Sequence, residues 1–145
     1  MPQIRVVAHY TDGKLIKGYI QGFNENAPFF YVLHDTAPGS KSTLVKMSEI
    51  KALFFVKTME GNRDYHERKE FNEGDRTQGR KAYVVFKDGE KLQGTVAGYD
   101  RNRPGFYLIP ADPDSNNIRI FVVMSSVKEF QFLPAGPFTA AALKK

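Results

Sequence analysis

The 145-residue chain contains no cysteine, which excludes disulfides, thiolate catalysis and cysteine-ligated zinc. It has no unbroken apolar run of the kind a membrane-spanning helix needs, about 18 residues or more. No charged-then-apolar leader is present, since Met1-Pro2-Gln3-Ile4-Arg5 runs straight into a strand-like pattern. Together these absences lead to the expectation of a cytoplasmic protein that engages no membrane. The only histidines, His9, His34 and His66, lie far apart and lack metal-ligand spacing. No nucleophile elbow, phosphate-binding glycine loop or acid–base constellation can be found. The expectation is therefore a non-enzyme, with no catalytic residue, metal or cofactor to name.

A concentrated basic face is also missing. The formal charge is +5, but residues 1–56 carry a net +2, residues 57–80 none, residues 81–133 +1 and the tail after them +2. Nucleic-acid binders gather lysine and arginine on one surface, because each neutralised phosphate adds affinity. A solvated surface of mixed sign fits this even spread better. With 41% apolar and 26% charged residues in 16.4 kDa, the chain can bury the core of one ordinary domain or two small ones.

What the chain does have is a duplication. Tyr10-Thr11-Asp12-Gly13-Lys14-Leu15-Ile16-Lys17-Gly18 returns at an offset of 76 as Phe86-Lys87-Asp88-Gly89-Glu90-Lys91-Leu92-Gln93-Gly94. The same offset relates Gly22/Gly98, Asn26/Asn102, Pro28/Pro104, Phe30/Phe106 and Tyr31/Tyr107. After a one-residue insertion the offset becomes 77 and aligns Val45/Val122, Met47/Met124, Ser48/Ser125, Lys51/Lys128 and Phe55/Phe132.

Each copy reads as strands joined by turns. Asp12-Gly13 and Asp88-Gly89 suit a tight hairpin, since glycine accepts positive φ at little steric cost. Before the first turn, Ile4, Val6, Ala8 and Tyr10 alternate with Arg5, Val7, His9 and Thr11 at the strand period of two. After it, Ile16, Gly18, Ile20 and Gly22 share a face, as do Leu92, Gly94, Val96 and Gly98. Glycines at alternate inward positions point to a sharply bent strand or a close backbone neighbour. A third strand is expected at Phe29–Leu33 and Phe106–Ile109, a fourth at 44–47 and Ile118–Val123, and a fifth at Ile50–Val56 and Val127–Leu133. Short Ser-bearing turns separate the last two. Residues 57–80 read as a charged linker with at most one short helix, over Arg63–Phe71, and residues 134–145 as a tail.

The run Asp88-Gly89, then Gly94-Thr95-Val96-Ala97-Gly98-Tyr99-Asp100, resembles the first motif of Sm-like proteins, and Phe121 to Val127 lies where their second motif would fall. The first half is similar, with Asn24 in the place of the aspartate. The arrangement also resembles an uncharacterised bacterial family with two such halves and a charged connector. The resemblance implies an all-β fold: two five-stranded Sm-like (SH3-like) barrels in tandem, residues 1–56 and 81–133. It further implies pairing of a fourth strand with a fifth strand inside the chain, giving a pseudo-dimer whose open sheet edges could recruit another copy. RNA-binding relatives carry a cation in the second motif's turn, whereas Met47-Ser48-Glu49 and Met124-Ser125-Ser126 have none. The leading functional expectation is thus an interaction or regulatory module with a protein partner.

Two alternatives name residues. For single-stranded RNA or DNA, bound weakly, the loop Arg101-Asn102-Arg103 could hold phosphates while Phe106 or Tyr107 stacks on a base. For a cyclic dinucleotide, Arg76 and Arg80 have the Arg-x-x-x-Arg spacing that resembles PilZ domains, and paired guanidiniums suit guanine edges.

Overall fold

The computed structural model describes residues 3–60, 80–96, 98–100 and 102–133. Residues 61–79 of the expected linker, including the short helix expected over Arg63–Phe71, and the tail lie outside the described residues. Among the described residues ten strands form: β1 (Ile4–Tyr10), β2 (Leu15–Ile20), β3 (Phe29–Leu33), β4 (Ser42–Lys46), β5 (Ile50–Val56), β6 (Arg80–Phe86), β7 (Lys91–Val96), β8 (Gly105–Pro110), β9 (Asn117–Val123) and β10 (Val127–Phe132). All pair antiparallel in one open sheet with the order β10-β6-β7-β8-β9-β5-β1-β2-β3-β4. Each half repeats one internal order, fifth-first-second-third-fourth. The halves join where β9, a fourth strand, pairs with β5, a fifth strand, with Leu53 opposite Phe121 and Phe55 opposite Arg119. The expected fourth-to-fifth pairing is present, and its product is a continuous sheet whose edges, among the described residues, are β10 and β4.

The duplicated turns are built alike. Gly13 at φ +94° and Gly89 at φ +95° donate their N–H to Tyr10 O and Phe86 O. Asp12 Oδ1 and Asp88 Oδ1 each accept the N–H two residues on, at 2.9 Å in both copies. The Ser-bearing turns are single 3-10 turns at Met47–Glu49 and Met124–Ser126.

Gly18 and Gly94 serve the close approach expected of them. A Cβ on either would lie 2.2 Å from a carbonyl oxygen of the next strand, Leu33 O for one and Ile109 O for the other. Gly22 and Gly98 differ, because a Cβ there would meet nothing within 4 Å. Strong bending follows the first pair. In a flat sheet β8 and β10, three spacings apart, would be about 14 Å from each other. Yet the Phe106 and Phe130 rings are 4.9 Å apart. In the first half, Phe23 just past β2 comes within 5.2 Å of the Phe121 ring on β9.

The bent sheet encloses two apolar clusters, and each borrows from the other half. The first holds Val6, Ala8, Ile20, Val32, Val45, Leu53 and Phe55 together with Phe121 and Val123 of β9. The second holds Val84, Phe86, Leu92, Phe106, Leu108 and Ile120 together with Val7, Ala52, Phe54 and Val56 from the first half. Alternate residues of a strand point to opposite faces, so β5 and β9 each serve both clusters. That is why every residue of β5 is buried, even though its sequence is not alternating.

Candidate functional site

The loop after β7 is a turn closed on itself. Asp100 accepts the Asn102 N–H through Oδ1 at 2.9 Å and the Arg103 N–H through its carbonyl at 3.0 Å. The homologous loop has the same form around Asn24, which accepts from Asn26 and Ala27. Arg103 crosses between the halves, placing Nη1 3.3 Å from Glu25 Oε1. Arg101 lies outside the described residues. The two aromatics downstream part company, since neighbours on a strand face opposite ways. Phe106 is 4% exposed and packs inward against Tyr99 and Phe130. Tyr107 faces the first half, ring to ring with Phe121 at 5.2 Å and Phe55 at 6.2 Å. The Arg119 guanidinium covers the Tyr107 ring at 4.8 Å. Burial pushes the Tyr107 phenol up, Arg119 works against that shift, and Glu25 adds to it. Arg103 and Tyr107 therefore reach the first half, whereas Phe106 is committed to the packing of its own.

The other arginine pair is represented by Arg80 alone, because Arg76 lies outside the described residues. Arg80 sets its guanidinium carbon 3.7 Å from the centre of the Phe132 ring. The His9 and Phe54 rings lie 3.9 Å apart, tilted by 31°, and His34 Nε2 is 2.7 Å from Thr43 Oγ1. Among the described residues, no group of three or more His, Asp or Glu side chains could hold a metal ion. No helix among them is long and apolar enough to cross a membrane.

Two features escaped the sequence reading. One is Lys51, only 7% exposed within β5. Its ammonium lies 2.6 Å from Asp88 Oδ2 and also reaches Glu90 Oε1 in the β6–β7 turn, with Nζ 4.7 Å from the centre of the Phe86 ring. Burial opposes the charge, but hydrogen bonds to Asp88 and Glu90 outweigh it, so Lys51 titrates above 10.5. The Asp88 carboxyl is held below 3.8, first by Lys51 and then by the Glu90 N–H. Ser126 Oγ donates to the Lys51 carbonyl at 2.9 Å, completing the junction. A lone lysine inside Ile-Lys-Ala-Leu-Phe-Phe-Val was the available signal.

The second feature is an apolar patch at the β4 end of the sheet. Phe29, Tyr31 and Leu44 are 46%, 56% and 44% exposed. Tyr31 is directly opposite Leu44 across the β3–β4 ladder, and its ring meets Phe29 edge to face at 6.0 Å. Among the described residues, no strand pairs with the outer side of β4. His34 donates to Lys41 O and Met47 to Pro28 O, so by alternation Ser42, Leu44 and Lys46 turn their N–H and C=O groups away from β3. The repeat itself held the clue, since the homologues of Tyr31 and Leu44 are Tyr107 and Phe121, which the first half covers.

The chain belongs to DUF6982, a family of unknown function whose profile matches residues 2–134. No curated protein and no solved structure matches it.

Proposed function

For a member of this family, we propose a non-catalytic interaction module: two Sm-like barrels fused through β5 and β9, working in the cytoplasm by docking a protein partner at the β4 end of the sheet. One observation carries the reading, namely the exposed trio Phe29, Tyr31 and Leu44 beside a strand edge that is unpaired among the described residues. Contiguous apolar surface next to open backbone groups is the signature of a surface built to be covered. A strand added there gains main-chain hydrogen bonds, while the side chains supply specificity.

The curled halves and the shared fourth-to-fifth pairing support the barrel description. Against the nucleic-acid alternative stand the inward turn of Phe106 and the engagement of Arg103 by Glu25. The test is capture of partners from the native cell by immobilised protein. Tyr31→Ser combined with Leu44→Ser should abolish capture, whereas Arg103→Ala should leave it intact. Equal capture by all three proteins would refute the reading, as would salt-sensitive binding of a labelled single-stranded oligonucleotide that Arg103→Ala weakens.

A further inference from the structure

Among the described residues the two edges of the sheet, β10 and β4, are the homologues of β5 and β9, the strands that pair at the centre, and the β5–β9 junction shows what an edge needs in order to pair. On the incoming side, β5 sends Ala52, Phe54 and Val56 into the cluster of the receiving half. Leu53 and Phe55 lie in the other cluster with Phe121. Lys51 supplies a cation to the receiving turn, where Asp88 and Glu90 wait. The requirement is a strand apolar on both faces, with one lysine near its start.

β10 is the homologue of β5 and fails that requirement. At the offset of 77, Ala52 and Phe54 are replaced by Glu129 and Gln131. Both are exposed, and Gln131 Nε2 donates to Glu129 Oε1 at 3.2 Å. Insertion of β10 into another copy in the manner of β5 would bury a carboxylate and an amide in an apolar cluster, a cost with nothing to offset it. Such charged and polar residues on an edge are a recurrent guard against unwanted pairing.

β4, the homologue of β9, keeps the receiving chemistry. Leu44 stands where Phe121 does, Tyr31 where Tyr107 does, and Val45 where Val122 does. The turn that would meet an incoming lysine carries Asp12 and Lys14, with Glu49 at the homologous place of Ser126. Two of these three are acidic, so a cation remains the matching charge.

We propose that the sheet is one-ended: β4 accepts an apolar strand from a different protein, and Glu129 with Gln131 prevents β10 of another copy from filling that place. The partner's strand resembles β5 in chemistry, with a lysine followed by a small residue, an aliphatic residue and aromatics, apolar on both faces. This rests on the docking role proposed for the β4 face and adds to it the kind of occupant and the exclusion of self.

The experiment uses the full chain and sedimentation velocity over a hundredfold concentration range. The wild type should sediment as a monomer throughout. Glu129→Ala with Gln131→Phe, which restores the β5 pattern on β10, should assemble in a concentration-dependent way. Leu44→Pro added to that pair should return it to monomer, because Leu44 directs its N–H outward and its loss leaves the β3–β4 ladder whole. A wild type that self-assembles, or a folded Glu129→Ala/Gln131→Phe variant that stays monomeric, would overturn the proposal. Should that variant lose its β-sheet circular dichroism, a peptide with the sequence of residues 49–57 decides the matter. It should bind the wild type and bind Leu44→Pro at least tenfold more weakly; no binding, or equal binding, would overturn the proposal. Unchanged partner capture by Tyr31→Ser/Leu44→Ser would sink the docking role, whereas monomeric Glu129→Ala/Gln131→Phe alongside lost capture would sink only the one-ended inference.

Discussion

Lys51 allows the junction between the halves to be weighed, because its stem and its charge can be removed separately. Lys51→Ala deletes three largely buried methylenes, worth about 0.8 kcal/mol each. It also removes two charge-assisted hydrogen bonds. The carboxylates left behind rehydrate readily, since the Asp88 and Glu90 side chains are 43% and 34% exposed; their loss therefore costs only about 1 kcal/mol. The total is about 3 kcal/mol. Lys51→Met keeps an apolar stem over Phe86 and should cost about 1 kcal/mol or less, as replacements of partly buried ion pairs often do. Urea unfolding followed by far-UV circular dichroism suits a chain without tryptophan. With a slope of about 2 kcal/mol per M, Lys51→Ala should lower the midpoint by about 1.5 M and Lys51→Met by about 0.5 M or less. The pH dependence has a definite sign. Asp88 is held below 3.8, so its contribution is present above that value and fades as pH falls through its folded pKa. Lys51 is raised above 10.5, so its contribution is present below that value and fades as pH rises through its folded pKa. The gap between wild type and Lys51→Met should stay level across the neutral range and close at both extremes. Equal losses for Ala and Met, or a gap that ignores pH, would refute the division into stem and charge.

Gly94→Ala and Gly18→Ala should each cost about 3 kcal/mol or more in the same assay, because the added methyl meets a strand carbonyl that cannot move aside. Gly22→Ala, facing open space, should stay within about 1 kcal/mol of wild type. Phe121→Ala should cost about 3–5 kcal/mol and perturb first-half signals such as those of Phe23 and Phe55 in heteronuclear NMR, since its ring sits in the first cluster. Arg103→Ala should change stability by no more than about 0.5 kcal/mol, its ion pair with Glu25 being exposed.

Much of this architecture was legible in the amino acids. The Asp-Gly pairs marked hairpins whose loop bonds match in both copies, and the boundaries of β3 and β5 coincide with their apolar runs. Gly18 and Gly94, at inward positions of their strands, mark the close backbone approach by their lack of a side chain. The sharing of cores was harder to read, because it depends on which strands become neighbours. Val7 falls on the expected outward face of β1, yet it is buried in the second cluster. Phe106 and Tyr107 are neighbours in sequence and each reads as a candidate to stack on a base, but alternation along β8 sends one ring inward and the other across the junction. The exposure of Phe29 and Tyr31 has no local signal, since nothing in the apolar run of β3 says that it lies one strand from the end of the sheet.

The central pair β5 and β9 carries a consequence for the chain as a heritable object. Once each cluster took side chains from the other copy, neither half could be excised as a working protein: one fragment would lack Phe121 and Val123, the other Ala52, Phe54 and Val56. The halves should melt in a single transition, and the amides slowest to exchange with deuterium should belong to β5 and β9 together. A cut within the connector should yield two pieces that regain structure only when mixed, the mark of a duplication that has become irreversible.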